Sequence, residues 1–159
     1  MPPTRAQRKA SGFTLVELMV VMVIVGITLG LASLNAIPSP RQDLQKEAQR
    51  IALLLQLARD EAIVRNRLVT FEADADRYHF LVRSETGWSP VVNDDLLRER
   101  NFKNAPLQLL LEPPGNGGTN PLRITFGREP VDKPFVLTLA KGDNHVAIRA
   151  DGVGHFSVE

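Results

Sequence analysis

Apolar residues crowd toward the start of the chain and then settle into regular patterns. From Leu18 to Leu34 every residue is apolar or small, and none is charged. As a helix, these residues rise about 25 Å, slightly less than the ~30 Å hydrocarbon core of a bilayer. Adding Phe13 to Val16 makes the segment long enough to span, and takes in Glu17. Pro38 and Pro40 bracket Ser39 directly afterwards. Proline removes a backbone donor and crowds the preceding turn, so a break or kink is predicted there. From Arg41 onward Leu44, Ala48, Ile51, Leu55, Ala58 and Ala62 recur at alternating four- and three-residue steps, the period of an amphipathic helix. Leu54, Leu57 and Ile63 widen that stripe, while Gln45, Gln49, Gln56, Arg59 and Asp60 fill much of the rest. A stripe this wide suits a sheet better than a single partner helix. The helix is expected to end near Asn66.

Beyond Asn66 the pattern becomes that of strands. Leu68–Glu72 and Arg77–Arg83 flank the turn residues Ala73 to Asp76, a hairpin signal. Further strands are predicted at Trp88–Val92, Leu107–Leu111, Leu122–Phe126, Phe135–Ala140, Val146–Ala150 and Val153–Val158. The proline- and glycine-rich stretch 113–121 reads as a loop, and Asp151-Gly152 as the tight turn of a terminal hairpin. A long helix followed by this many strands predicts an α+β fold with the helix laid on antiparallel sheet. The expected organisation is a leader (1–12), a membrane helix (13–37), a kink and amphipathic helix (38–67) and a β-rich domain (68–159).

Charge alters the picture only locally. The chain of 159 residues has a net charge of +1 and suits one domain. Arg5, Arg8 and Lys9 precede the apolar run; without them the remainder carries 16 Lys and Arg against 18 Asp and Glu. No bulk attraction to nucleic acid follows. The basic cluster favours a cytoplasmic N-terminus and places the following domain across the membrane, although Arg41, Lys46 and Arg50 follow the run on its other side. With no cysteine, disulfides and thiol catalysis are excluded.

Glu17 is the anomaly. A carboxylate in an apolar helix costs about 2.5–3.5 kcal/mol on insertion scales, so it calls for a partner or a purpose. No basic residue lies one helical turn away. A signal peptide cut after Gly30-Leu31-Ala32 is the competing reading, but such a peptide has no reason to carry that acid.

Gly12-Phe13-Thr14-Leu15-Val16-Glu17 before an apolar run resembles the prepilin leader of type IV pilins and type II secretion pseudopilins. The resemblance implies cleavage by a membrane peptidase after Gly12 and N-methylation of the new terminal Phe13. It makes Glu17 the fifth mature residue. A freed amine is positive at neutral pH, and a carboxylate one turn along can meet the amine of a neighbouring subunit in the bilayer, so that each buried charge has a partner. A second resemblance covers residues 57–71 (Leu57-Ala-Arg-Asp-Glu-Ala-Ile-Val-Arg-Asn-Arg-Leu-Val-Thr-Phe71) and Ile148-Arg-Ala-Asp-Gly-Val-Gly154. These are similar to the helix-to-strand junction and closing hairpin of the GspH/FimT group. The implied function is that of a minor pseudopilin near the tip of a periplasmic pseudopilus, helping to push folded proteins through an outer-membrane secretin. Glu17 argues against the extreme tip subunit, which in the family often lacks this acid. The implied partners are the prepilin peptidase, other pseudopilins through the N-terminal helix, the inner membrane, and the secretin or secreted cargo. The alternative is a FimT-like minor pilin that takes up DNA. Its DNA-binding members place arginines in the closing hairpin, and Asp151 to His155 contains none, so nucleic acid is not an expected partner.

No catalytic constellation competes with this reading. His79, His145 and His155 have neither metal-ligand spacing nor a nucleophile partner, and no cofactor is expected. His79 reads as a solvent-facing strand residue. Glu72, Asp74 and Asp76 alternate as calcium ligands can, but Arg77 and Tyr78 stand where a calcium loop needs glycine, so a hairpin turn is expected. The cluster Arg98 to Lys103, with Phe102 inside it, reads as a solvated face.

Overall fold

A computed structural model of the chain describes residues 13–34, 39–91, 94–114 and 120–159. Gly12, the rest of the leader, and Pro38 of the expected kink lie outside the described residues. The chain divides into two units, Met1–Pro38 and Ser39–Glu159.

In the first unit, helix α1 runs Leu15–Leu34. It leaves its large apolar side chains exposed, from 43% at Val25 to 74% at Leu15. No helix among the described residues is long and apolar enough to cross a membrane. Residues 35–37 of the segment expected at 13–37 fall outside the described residues.

The second unit opens with α2, Pro40–Val64. Ser39 caps it, its hydroxyl accepting from Gln42 N at 3.2 Å, and Pro40 takes the first helical position, where its missing N–H leaves no gap. The far end closes as a Schellman motif. Asn66 adopts φ 52°, Asn66 N donates to Ile63 O at 3.2 Å, and Arg67 N donates to Ala62 O at 3.0 Å. The apolar stripe faces inward: Ala48, Ile51, Leu55, Ala58 and Ala62 are each 0% exposed. Three alanines in that stripe leave the helix backbone close to the strands it covers.

Among the described residues nine strands follow: β1 Val69–Ala73, β2 Arg77–Ser84, β3 Gly87–Pro90, β4 Arg100–Asn101, β5 Gln108–Glu112, β6 Leu122–Phe126, β7 Phe135–Lys141, β8 Asn144–Ala150 and β9 Phe156–Val158. They form two antiparallel sheets. One has the order β3-β2-β1-β6, with β4 pairing to the start of β2; the other has the order β5-β7-β8-β9. Helix α2 packs mainly on β8, β9 and β1, touching both sheets. Phe71, Tyr78, Phe80 and Phe102 cluster inside the larger sheet, with ring centroids 5.2–6.4 Å apart. Phe102 is 4% exposed. The segment read as a solvated basic face therefore turns this aromatic into the core, and β4 is the strand that delivers it.

Other differences are local. The last strand begins at Phe156 rather than Val153, because Asp151 to His155 is spent on the turn. His79 is half-buried rather than solvent-facing, its Nε2 3.4 Å from Glu72 Oε1. Asp74 behaves as a turn residue, accepting from Asp76 N at 2.8 Å and Arg77 N at 2.9 Å. Those amides hold its carboxyl below the usual range.

Candidate functional site

The residues expected to carry function lie at the start of α1. Phe13 is exposed and precedes the first helical residue. Thr14 caps the helix: its hydroxyl accepts from Glu17 N at 3.3 Å, and its carbonyl accepts from Leu18 N at 3.3 Å. This role was missed in the sequence, although Thr14-x-x-Glu17 has the spacing of a capping box. Glu17 sits in the first turn, where the helix dipole favours an anion. Its carboxylate is exposed and has no cationic partner among the described residues. At Gly26 and Gly30 an added Cβ meets nothing within 4 Å in this chain. Thr28 is satisfied locally, donating to Ile24 O at 2.9 Å.

A second constellation brings together the two domain segments singled out in the sequence. Arg59, expected on the polar face of α2, is 8% exposed. Its Nη2 donates to Pro130 O, and its Nε lies 4.0 Å from Asp132 Oδ2. Gly154 of the closing turn lies against the same guanidinium, where an added Cβ would stand 2.7 Å from Nη1. Gly152 is closer still to backbone: at φ +83° its Cβ would meet Asp132 O at 2.4 Å, while Asp132 N donates to Gly152 O at 2.7 Å. One buried arginine thus ties α2, the loop after β6 and the closing turn. Side chains so enclosed are positioned for architecture rather than for chemistry on a substrate.

The closing turn is also organised by Asp151. Its Oδ1 accepts from the amides of Val153 (2.8 Å), Gly154 (3.1 Å) and His155 (3.0 Å), and its Oδ2 meets His155 Nδ1 at 2.8 Å. The Val153 and His155 amides foremost, with the imidazole adding to them, lower its pKa to about 2. Because the folded pKa lies below the unfolded one, the turn's contribution is complete above pH ~4 and is lost as pH falls through about 2. In Asp151→Asn that acid-dependent change is expected to vanish. Amide chemical shifts of Val153 and Gly154, followed from pH 5 to pH 1.5, measure it.

Among the described residues no group of three or more His, Asp or Glu side chains could hold a metal.

Comparison with known proteins places both regions. A family model described as "Type II transport protein GspH" matches residues 47–154, and one described as "Prokaryotic N-terminal methylation motif" matches residues 7–33. "Type II secretion system protein H" of Pseudomonas aeruginosa is 41% identical over 90 residues. That match covers 55% of this chain and 52% of the relative, so it spans about half of the relative's length. The minor pseudopilin EpsH of the Vibrio cholerae Type 2 Secretion System superposes with a TM-score of 0.58 at 21% identity, covering 74% of this chain and 96% of that one. The Pseudomonas aeruginosa type IV minor pilin FimU gives 0.53 at 21% identity, covering 75% and 90%. At such identities the structures establish a shared α+β pilin-like fold.

Proposed function

Since this chain belongs to the GspH family of type II transport proteins, minor pseudopilins of type II secretion, we propose that it is a structural subunit of a periplasmic pseudopilus. In that role it assembles through its N-terminal helix and supports the export of folded proteins across the outer membrane. The family is one of assembly subunits, and no catalytic role is assigned to any residue. The observation that carries the reading is the coincidence of the methylation motif at 7–33 with an exposed apolar α1 whose one acid, Glu17, lacks a partner among the described residues. A helix with exposed apolar side chains on all its faces is unstable in water and suits lipid or other helices. Gly26 and Gly30, four residues apart, then allow neighbouring helices to approach closely.

In this proposal the prepilin peptidase cuts after Gly12. Phe13 becomes the methylated N-terminus, and Glu17 pairs with the terminal amine of an adjacent subunit. The anchor lies in the inner membrane, with the domain from Ser39 onward in the periplasm. The proposed segments are 1–12, 13–37, 38–67 and 68–159, with α2 packed on the strands as one body. The similarity to FimU makes a type IV pilus role compatible with the fold. The GspH match and the arginine-free closing turn favour secretion.

Intact mass and N-terminal sequencing of the protein purified from its native membrane test the reading. A chain beginning at N-methylated Phe13 is the expected result. A chain beginning at Ser33 would show an ordinary signal peptide and overturn it.

A further inference from the structure

At the C-terminal end of α2 three arginines line one cleft of about 660 Å³: Arg67, Arg83 and Arg128. All three are exposed, and none has a carboxylate partner among the described residues. The other arginines around this end are engaged: Arg65 pairs with Glu61, and Arg59 is buried against Pro130 and Asp132. Among the described residues, Glu85 is the one carboxylate lining the cleft.

Each arginine springs from fixed backbone. Arg67 directly follows Asn66 in the Schellman motif, its amide bonded to Ala62 O. Arg83 stands on β2, its amide donating to Leu68 O at 2.9 Å and its guanidinium 5.5 Å from the Trp88 ring centroid. Arg128 follows β6, next to Gly127, whose amide points at Asp132 Oδ1 at 3.5 Å. The negative end of the α2 dipole accounts for a cation at position 67. It does not reach the arginines contributed by β2 and the loop after β6. Three cations gathered beside a single carboxylate, Glu85, leave an excess of positive charge, and an anion seated among them relieves the repulsion.

We propose that this cleft binds an acidic segment of a protein partner, Asp or Glu side chains entering it to accept hydrogen bonds from the three guanidinium groups. Arginine suits a planar carboxylate because its fork donates two parallel bonds. The dimensions favour a peptide over duplex DNA, which demands cations along an extended surface, whereas here three surround a single concavity. The cleft lies at the end of the domain opposite the N-terminus of α2, roughly 37 Å away along the 25-residue helix. The inference deepens the assembly reading, on which only the partner's identity as another pseudopilus subunit rests.

Fluorescence anisotropy with a labelled hexaglutamate peptide and the full chain in detergent tests it. Saturable binding that weakens with salt is expected. The triple variant R67Q/R83Q/R128Q should bind at least 10-fold more weakly. A control removing three cations elsewhere, R41Q/K46Q/R98Q, should bind as the parent does. Absence of hexaglutamate binding, or equal binding by the triple variant, would overturn the proposal. A 20-base-pair duplex bound more tightly than the peptide, and lost in the triple variant, would replace the acidic peptide with nucleic acid. None of these results depends on how the N-terminus is processed, so they stand apart from the sequencing of Phe13.

Discussion

Gly152→Ala is expected to destabilise the domain by about 3 kcal/mol. Two effects combine. Residue 152 sits at φ +83°, a conformation that an L side chain adopts at a cost of about 1–3 kcal/mol. The added Cβ would also meet Asp132 O at 2.4 Å, Asp132 C at 3.3 Å and Pro134 N at 3.2 Å. These are backbone atoms, and moving them disturbs the hydrogen bond from Asp132 N to Gly152 O as well as the loop that covers Arg59; overpacking of this kind costs about 1–3 kcal/mol. Gly154→Ala makes an instructive comparison. Its φ of +113° is also unfavourable, but the Cβ would press on the guanidinium end of the Arg59 side chain rather than on backbone. A smaller loss is expected there. Urea denaturation of the two variants measures the difference, and equal stability of Gly152→Ala and the parent would show that the loop yields freely.

Glu17→Leu is expected to abolish assembly while leaving the domain folded. In the proposed pseudopilus the carboxylate of one subunit pairs with the amine of the next. Removing one partner of a buried pair leaves the other charge unpaired, a loss of about 3–5 kcal/mol, or roughly 100-fold or more in association. Leucine itself sits more easily in lipid than glutamate, so failure would not reflect poor insertion. Copurification with other pseudopilins from detergent-solubilised membranes should drop to background, and secretion should fall with it. If both persist at the parent's level, the pairing role of Glu17 is wrong, and its place in the Thr14-capped first turn becomes its function.

Much of the architecture was legible because periodicity reports burial. The stripe Leu44 to Ala62 read at helical spacing is the buried face of α2, and the alternating residues of β1, β2 and β6 fall within a residue or two of the predicted strands. The helix end near Asn66 was legible because a strand pattern begins at Leu68; the left-handed conformation of Asn66 in a Schellman motif was not. Strand β4 was not legible: two residues carry no period, and pairing with β2 alone makes Arg100–Asn101 a strand. Arg59 was misplaced for a related reason. Its charge put it on the polar face, whereas loop 127–134 and the closing turn fold over it and supply the groups that let it be buried.

The sequence by itself determined the family, and the proposed assembly chemistry is built on it. Gly12, Phe13, Glu17 and the apolar run are contiguous, and a processing enzyme and a bilayer both act on contiguous chain. Tertiary structure alone decided which distant residues meet. Arg59 joins Gly154 and Asp132 only once α2 lies across both sheets, and Arg67, Arg83 and Arg128 share a cleft only because the end of α2, strand β2 and the loop after β6 reach the same end of the domain. Local propensity follows from short-range sterics and hydrogen bonding and is written along the chain. The juxtaposition of side chains separated by tens of residues depends on how the helix and the two sheets bury their apolar faces together, which the linear pattern does not state.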